Sequence, residues 1–404
     1  MKSNYKRLGD YIQEVKVRNS DLKAKTLLGI NINKFFMPSV ANIVGTDLSN
    51  YKVVKKNQFA CNRMHVGRDY RIPISRSDND ETFMVSPAYD VFEIKDTKAL
   101  NPEYLMMWFS RAEFDRNAWF YTDADVRGGL AWKAFVDMQL PIPHPDKQCE
   151  IVAEYNTVQK RIDLNNQLIQ KLEETAQNIY KQWFVEFEFP DENGKPYKSN
   201  GGEMVESWLG EIPNGWENGK LGDIVQTQYG YTASAELNDI GPKFLRITDI
   251  ANGYIDWDNV PHCDIPENIF EKYELKNGDI IIARTGATAG CAKRINKQHP
   301  KVVFASYLVR IIPNDRTMNL YLGMTIDSEK YRKFILSNAE GSAQPQANAR
   351  LMTEFPIIKP NIECVIKFNK FAESLFDNIE NCQMQNSKLK RFTELLLSKL
   401  STIE

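Results

Sequence analysis

Apolar residues recur at Ile151, Tyr155, Val158, Ile162, Ile169, Leu172, Ala176, Ile179 and Trp183, with polar Asn165 completing the series. The steps alternate four and three throughout. A mean spacing of 3.5 residues is a heptad seam, which predicts one long helix carrying a stripe it cannot bury alone. A second seam has the same alternation: Val365, Phe368, Ala372, Leu375, Ile379, Cys382, Asn386, Leu389, Thr393, Leu396 and Leu400. Each stripe is the natural cover for the other. At 1.5 Å per residue the first is about 50 Å long, the reach of a rigid spacer between two domains. Two readings stand for Asn165 and Asn386: they fix the register of the pair, or they face solvent where the seam opens.

Each predicted helix follows a stretch with the period of half-buried strands, and the two stretches repeat one another. Lys6-Arg-Leu-Gly-Asp10 returns as Gly219-Lys-Leu-Gly-Asp223, and Lys56-Asn-Gln-Phe-Ala60 lies where Lys276-Asn-Gly-Asp-Ile280 lies. Ala88–Ile94 answers to Ser306–Ile312, both alternating like strands. Helix-like stretches follow, Asn101–Phe114 and Asn319–Leu336. Leu140-Pro-Ile-Pro-His-Pro145 and Phe355-Pro-Ile-Ile-Lys-Pro360 then break the chain before each seam. Between the halves, Pro190–Gly202 is rich in Pro, Gly and Asn and reads as an extended linker. The expected organisation is α+β: two similar, mixed but mainly β domains at 1–145 and 211–360, long helices at 146–184 and 361–404, and a linker at 185–210. A tandem repeat closed on itself acquires a pseudo-twofold axis, so the helices are expected to pair antiparallel.

Composition narrows the function. With 404 residues, 42% hydrophobic and 26% charged, the chain is ordinary for a multidomain globular protein. No run of eighteen apolar residues occurs, and the first ten residues lack the apolar core of a signal peptide, so a cytoplasmic protein is expected. The six cysteines are scattered without a Cys-x-x-Cys pair and read as buried free thiols. The four histidines form no metal motif. Net charge is −2, yet residues 49–76 carry seven cations against one acid, and residues 280–301 carry five cations and no acid. These two basic islands, one in each half, point to a polyanionic partner.

With the repeat, several local sequences resemble one family, the specificity (S) subunits of type I DNA restriction-modification systems, over essentially the whole chain. Phe59-Ala-Cys-Asn-Arg-Met64, Val85–Phe92 and Arg127-Gly-Gly-Leu130 are similar to a first target-recognition domain. Trp183-Phe-Val-Glu-Phe187, Gly194–Lys198 and Ile212-Pro-Asn-Gly-Trp216 are similar to the passage between halves, and Gly278–Gly286 and Gly341–Gln346 to a second recognition domain. The resemblance implies that each domain reads one half of a bipartite site in double-stranded DNA. It implies that the helices set the spacing and dock two adenine methyltransferase (M) subunits, an assembly joined by endonuclease/translocase (R) subunits. S-adenosylmethionine and ATP would be bound by those partners, and this chain would carry neither cofactor nor metal.

A domain that reads DNA needs cations for phosphates and forked polar groups for base edges. The first island offers Asn62, Arg63, His65, Arg68, Tyr70 and Arg71; its alternative reading is a solvated basic hairpin. Arg127 beside two glycines is a further candidate, or a plain turn. In the second half, Arg284 and Thr285 open a small-residue loop that lacks the spacing of a phosphate loop. Lys243, Arg246 and Thr248, in a strand-like run from Lys243 to Ile250, together with Lys293, Gln344 and Gln346, could extend that surface. Off the seams, Leu164, Leu168, Phe371 and Phe376 could form a partner-binding face. No catalytic site is found. Asn101-Pro-Glu-Tyr104 is one residue from an amino-methyltransferase signature but reads as a helix cap and first turn. Neither Pro145-Asp146 nor Pro190-Asp191 has the Glu-x-Lys of a nuclease. The rival readings are a self-sufficient bivalent DNA-binding regulator and a scaffold whose basic islands are incidental.

Overall fold

The computed structural model describes residues 4–40, 45–122, 128–251, 253–339 and 346–403. The chain divides into two compact units, one of residues 1–161 with 388–404, the other of residues 162–387. The first long helix runs Pro145–Phe184 and the second Ile362–Lys399, so each contributes to both units.

Unit 1 is built on a four-stranded antiparallel sheet in the order Ile12–Val15, Asp90–Ile94, Phe59–Cys61, Ile74–Arg76. Unit 2 has the same order of strands: Val225–Tyr229, Leu308–Pro313, Ile280–Ala283, Ala292–Arg294, again antiparallel. In each unit the Leu-Gly-Asp sequence forms a short 3-10 turn, and the strand before it pairs with the strand that precedes the long helix: Tyr5–Arg7 with Gln139–Pro141, and Glu217–Lys220 with Pro356–Lys359. The turn entering the third strand of each sheet is one geometry made from different residues. Asn57 and Gly278 both take left-handed backbone, φ 64° and 86°. Beside them Gln58 accepts from the Lys55 amide at 2.8 Å, and Asp279 from the Lys276 amide at 2.7 Å. The units differ elsewhere. Lys52–Val54 pairs antiparallel with Phe83–Val85, whereas Lys243–Leu245 pairs parallel with Val302–Phe304.

Several sequence expectations are corrected. The stretch Asn101–Phe114 is two helices, Pro102–Phe109 and Ala112–Phe120. Likewise Asn319–Leu336 divides into Asn319–Ile326 and Glu329–Asn338, where the Ser328 hydroxyl caps a new helix by accepting from Tyr331 N. Lys243–Ile250 is not one strand. After Leu245 the Asp249 carboxylate accepts from the Arg246 amide at 2.8 Å and starts a helical turn at Ile247. The passage 185–210 is not a bare extended linker, because Phe187 and Phe189 are buried, Phe189 stacks between Tyr197 and Trp216, and Met204–Val205 pairs with Ile212–Pro213. Cys149 is exposed, while Cys61, Cys263, Cys364 and Cys382 are buried. Burial pushes the Cys263 thiol up to about 11 and the Cys364 thiol up to about 12, so neither is a ready nucleophile.

Every residue of both seams is buried or half-buried. In unit 2, Trp183 meets Phe368 and Asn165 meets Asn386, so residue numbers rise on one helix as they fall on the other. In unit 1, Gln159 donates to the Thr393 hydroxyl at 3.2 Å. The helices are antiparallel. Asn165 and Asn386 do not face solvent: Asn165 Nδ2 donates to Asn386 Oδ1 at 2.9 Å, and Asn386 Nδ2 donates to Asn166 Oδ1 at 2.8 Å. A buried amide between apolar layers rewards only the register that pairs it. Asn386→Ala orphans its partners and should cost about 1–3 kcal/mol in urea unfolding. Replacing Asn165 and Asn386 together by Leu should recover most of that loss while weakening the choice of register.

Candidate nucleic-acid interface

In each unit an arginine ends the third strand of the main sheet. Arg63 follows Phe59–Cys61, and Arg284 follows Ile280–Ala283. The backbone carbonyl of each arginine accepts from a later loop: Arg63 O from Leu130 N at 2.9 Å, Arg284 O from Ala347 N at 2.8 Å. That bond brings the Gly128-Gly129 segment to the first basic island and Gln346 to the second. In unit 1 the approach is backbone on backbone. Gly67 N donates to Gly128 O at 2.7 Å, and a Cβ on Gly67 would lie 2.7 Å from Gly128 Cα. Only glycine on both sides permits it. In unit 2, Thr285 forms an antiparallel bridge with Gln346.

The two arginines are held differently. Arg63 is mostly buried. Its Nε donates to Asp90 at 2.7 Å, its Nη1 donates to Leu130 O, and its guanidinium lies 5.5 Å from the Trp132 ring centre. It is spent within the fold, which corrects its reading as a base-reading group. The Arg284 guanidinium lies 5.2 Å from the Tyr229 ring centre, and its Nε has no hydrogen-bond partner among the described residues. Tyr229 is itself placed by its hydroxyl, which accepts from Ala349 N at 3.0 Å.

The remaining candidates divide. Asn62 is half-buried and bonds Met64 N at 3.1 Å, making a local turn. His65 is half-buried at the start of the helical turn Val66–Asp69. Arg68 is exposed but lies against Asp69 at 2.7 Å, and its hydrogen bond to that carboxylate raises the guanidinium's affinity for its proton. Arg71 is exposed and donates to Asn33 at 3.2 Å, and Tyr70 is exposed beside it. Arg246 is gripped by Asp249 through two donors, at 2.9 and 3.0 Å, while Thr248 is exposed. Lys243 spends its amine on the carbonyls of Val260 and Asp258. Lys243 and Lys293 line a cavity of about 480 Å³ that Glu173, Asp327 and Glu380 share. Burial raises all three carboxyls, and Lys293 lies 3.3 Å from Asp327, so this is a place unsuited to a phosphate. Arg127 and Gln344 lie outside the described residues.

On the long helices Leu164, Leu168 and Phe371 are exposed. Phe376 is not an open partner face, because it is half-buried with the Arg294 guanidinium 5.2 Å from its ring centre. Asn101 is a helix cap, its Oδ1 accepting from Glu103 N and Tyr104 N. Sequence reading missed Tyr229 and Tyr307 in unit 2 and Trp119, Phe120 and Tyr121 in unit 1, all exposed. Three consecutive aromatics closing a polar helix were the available signal.

Because Arg63 answers a half-buried carboxylate, Arg63→Ala should lower unfolding stability by about 1–3 kcal/mol. Arg284→Ala should leave the urea midpoint nearly unchanged, since no ion pair within the described residues is lost.

Residues 213–391 match the family described as the type I restriction modification DNA specificity domain. The chain is 22% identical to the type I restriction enzyme HindI specificity subunit of Haemophilus influenzae over 91% of each chain. It is 25% identical to the MjaVIII specificity subunit of Methanocaldococcus jannaschii, over 66% of this chain and 63% of that one. The crystal structure of the type I restriction-modification S subunit from M. genitalium superposes with a TM-score of 0.56 at 12% identity, covering 99% of this chain and 96% of that one, and so shares its fold. Residues 213–391 thus carry a type I restriction modification DNA specificity domain, and over most of its length the chain is similar to the specificity subunits of type I restriction-modification systems.

Proposed function

We propose that this chain is the sequence-reading subunit of a type I complex, each unit reading one half of a bipartite DNA site. The observation that carries the reading is the repeated loop closure at Arg63 and Arg284, which holds an arginine-bearing loop at the end of the third strand of the main sheet in each unit. In unit 2, Arg284, Thr285 and Gln346 are the base- and phosphate-contacting group, with Arg284 able to fork onto guanine O6 and N7. In unit 1, Tyr70 and Arg71 take that role, beside Arg68, which Asp69 holds. Arg63 positions the loop.

The long helices set the distance between half-sites and dock two adenine methyltransferase subunits, with R subunits completing the restriction assembly. Exposed Leu164, Leu168 and Phe371 favour docking over a self-sufficient regulator, which would have no use for apolar side chains on its spacer. The chain works in the cytoplasm. Methyl transfer and its S-adenosylmethionine belong to the M partner, as ATP belongs to the R partner. Among the described residues no three His, Cys, Asp or Glu side chains gather as a metal site, and no helix is long and apolar enough to cross a membrane.

Three measurements test this. The purified chain alone should neither methylate nor cleave DNA; incorporation of labelled methyl groups by the chain alone overturns the assignment. Arg284→Ala should relax one half-site only, at a cost of about 1–3 kcal/mol per lost base contact, while Arg71→Ala affects the other. Methylation maps of cells carrying each variant read this, and loss at both half-sites together refutes two independent readers. Finally, matched heptads inserted after Asn165 and before Asn386 preserve both seams and add about 10 Å. Since a duplex advances about 3.4 Å per base pair, the gap should grow by about three base pairs. The added turn around the duplex will lower activity. Retained activity with an unchanged gap would mean that the helices do not measure it.

A further inference from the structure

Exposed aromatics of unit 1 fall in two ring pairs that adjoin through the neighbouring residues Trp119 and Phe120. Tyr70 and Trp119 pack with ring centres 5.4 Å apart, and Phe120 and Tyr121 with theirs 5.3 Å apart. Phe120 is 75% exposed, Tyr70 63% and Trp119 44%. Four aromatics are rarely left to water on a soluble surface without a partner. Guanidinium groups surround them: exposed Arg71 beside Tyr70 faces no carboxylate in its hydrogen bond to Asn33, while exposed Arg68 and Arg116, the latter one helical turn before Phe120, lie against Asp69 and Glu113. The helical turn Val66–Asp69 and the helix Ala112–Phe120 that carry them pack together.

Tyr70 supplies an independent observation. It ends the helical turn in left-handed backbone, φ 56° and ψ 14°, a conformation that bulky residues rarely adopt and that favours glycine. A side chain held in strained backbone at a candidate site suggests that its ring is needed there. Unit 2 also exposes aromatics beside its loop, Tyr229 and Tyr307, but among the described residues these two rings do not pack on each other. In the helix before its own loop, Glu329–Asn338, Leu336 is the one exposed large apolar residue.

We propose that the Tyr70–Trp119–Phe120–Tyr121 patch is an apolar wedge against duplex DNA, partly unstacking a base step in the half-site read by unit 1 and not in the other. This rests on the DNA-reading function proposed above. Guanidinium groups around an apolar edge suit a duplex, whose phosphates they neutralise while aromatic rings replace the lost stacking. The wedge would add specificity that no hydrogen bond to a base carries, because easily opened pyrimidine–purine steps accept it at least cost.

The test uses the full chain and duplexes carrying the bipartite motif mapped in cells, with 2-aminopurine placed in turn at each adenine. Binding should raise the fluorescence of the probe in one half-site and leave the other flat. Phe120→Ala should abolish the rise and weaken binding by about fivefold or more, the lower end for one base–aromatic stack. Phe120→Leu, still an apolar wedge, should retain most of both. All these positions are exposed, so the variants keep the fold, which circular dichroism checks. Intact binding without a rise at any position overturns the wedge and leaves the reading function standing, and a rise unaffected by Phe120→Ala also overturns it. Unchanged DNA binding with loss of methyltransferase on co-purification would assign the patch to a protein partner instead. Failure of the chain, alone and with its methyltransferase, to bind the motif would overturn both proposals.

Discussion

The structure depends on one constraint: two amphipathic helices, far apart in sequence, must cover each other's apolar stripes. In unit 2 the seam residues Trp183, Val365, Phe368 and Ala372 belong to the same core as the sheet residues Ile280 and Ile311. In unit 1, Val152 and Leu400 belong to the core of Phe59, Phe92 and Leu140. The helices are thus part of each core and not a rod to which finished domains are attached. That explains the asparagines at the seam. An all-apolar stripe would tolerate sliding by a heptad, whereas the Asn165–Asn386–Asn166 bonds leave amides unpaired in any shifted register.

Against this frame the two units use one solution for presenting a loop. A strand-end arginine gives its carbonyl to a loop that lies later in sequence, just before the helices Trp132–Asp137 and Ala349–Thr353, and the contact is made by backbone. The side chains above it are therefore released to differ between the units. Arg63 turns inward to Asp90, and Arg284 lies over Tyr229. A closure repeated in backbone thus leaves the side chains over it free to differ from one unit to the other.

The seams were legible because burial of a helical stripe is periodic, and period is a property of sequence alone. The repeat was legible for a similar reason: Leu8-Gly-Asp10 and Leu221-Gly-Asp223 mark turns that any copy of the fold must make. The candidate site was less so. Seven cations in residues 49–76 predict a basic surface, but local carboxylates decide which cations remain available. Asp69 lies against Arg68 at a separation of one residue, and Asp249 against Arg246 at three, which could have been anticipated. Asp90 reaching Arg63 across 27 residues, and Arg294 covering Phe376 across 82, depend on strand order and helix packing that no local pattern encodes.

The division into units also bears on how the chain is made. Unit 2 is continuous from 162 to 387, while unit 1 closes only when residues 388–404 join residues 1–161. During synthesis the residues 1–161 of unit 1 are complete long before Leu400, one of its fully buried side chains, has been added. The unit begun first therefore cannot complete its core until the second long helix is made, a departure from the vectorial order in which an N-terminal domain folds before the rest of the chain exists. Until then the core that holds Val152 lacks Leu400, and Tyr155, packed against that core, waits with it.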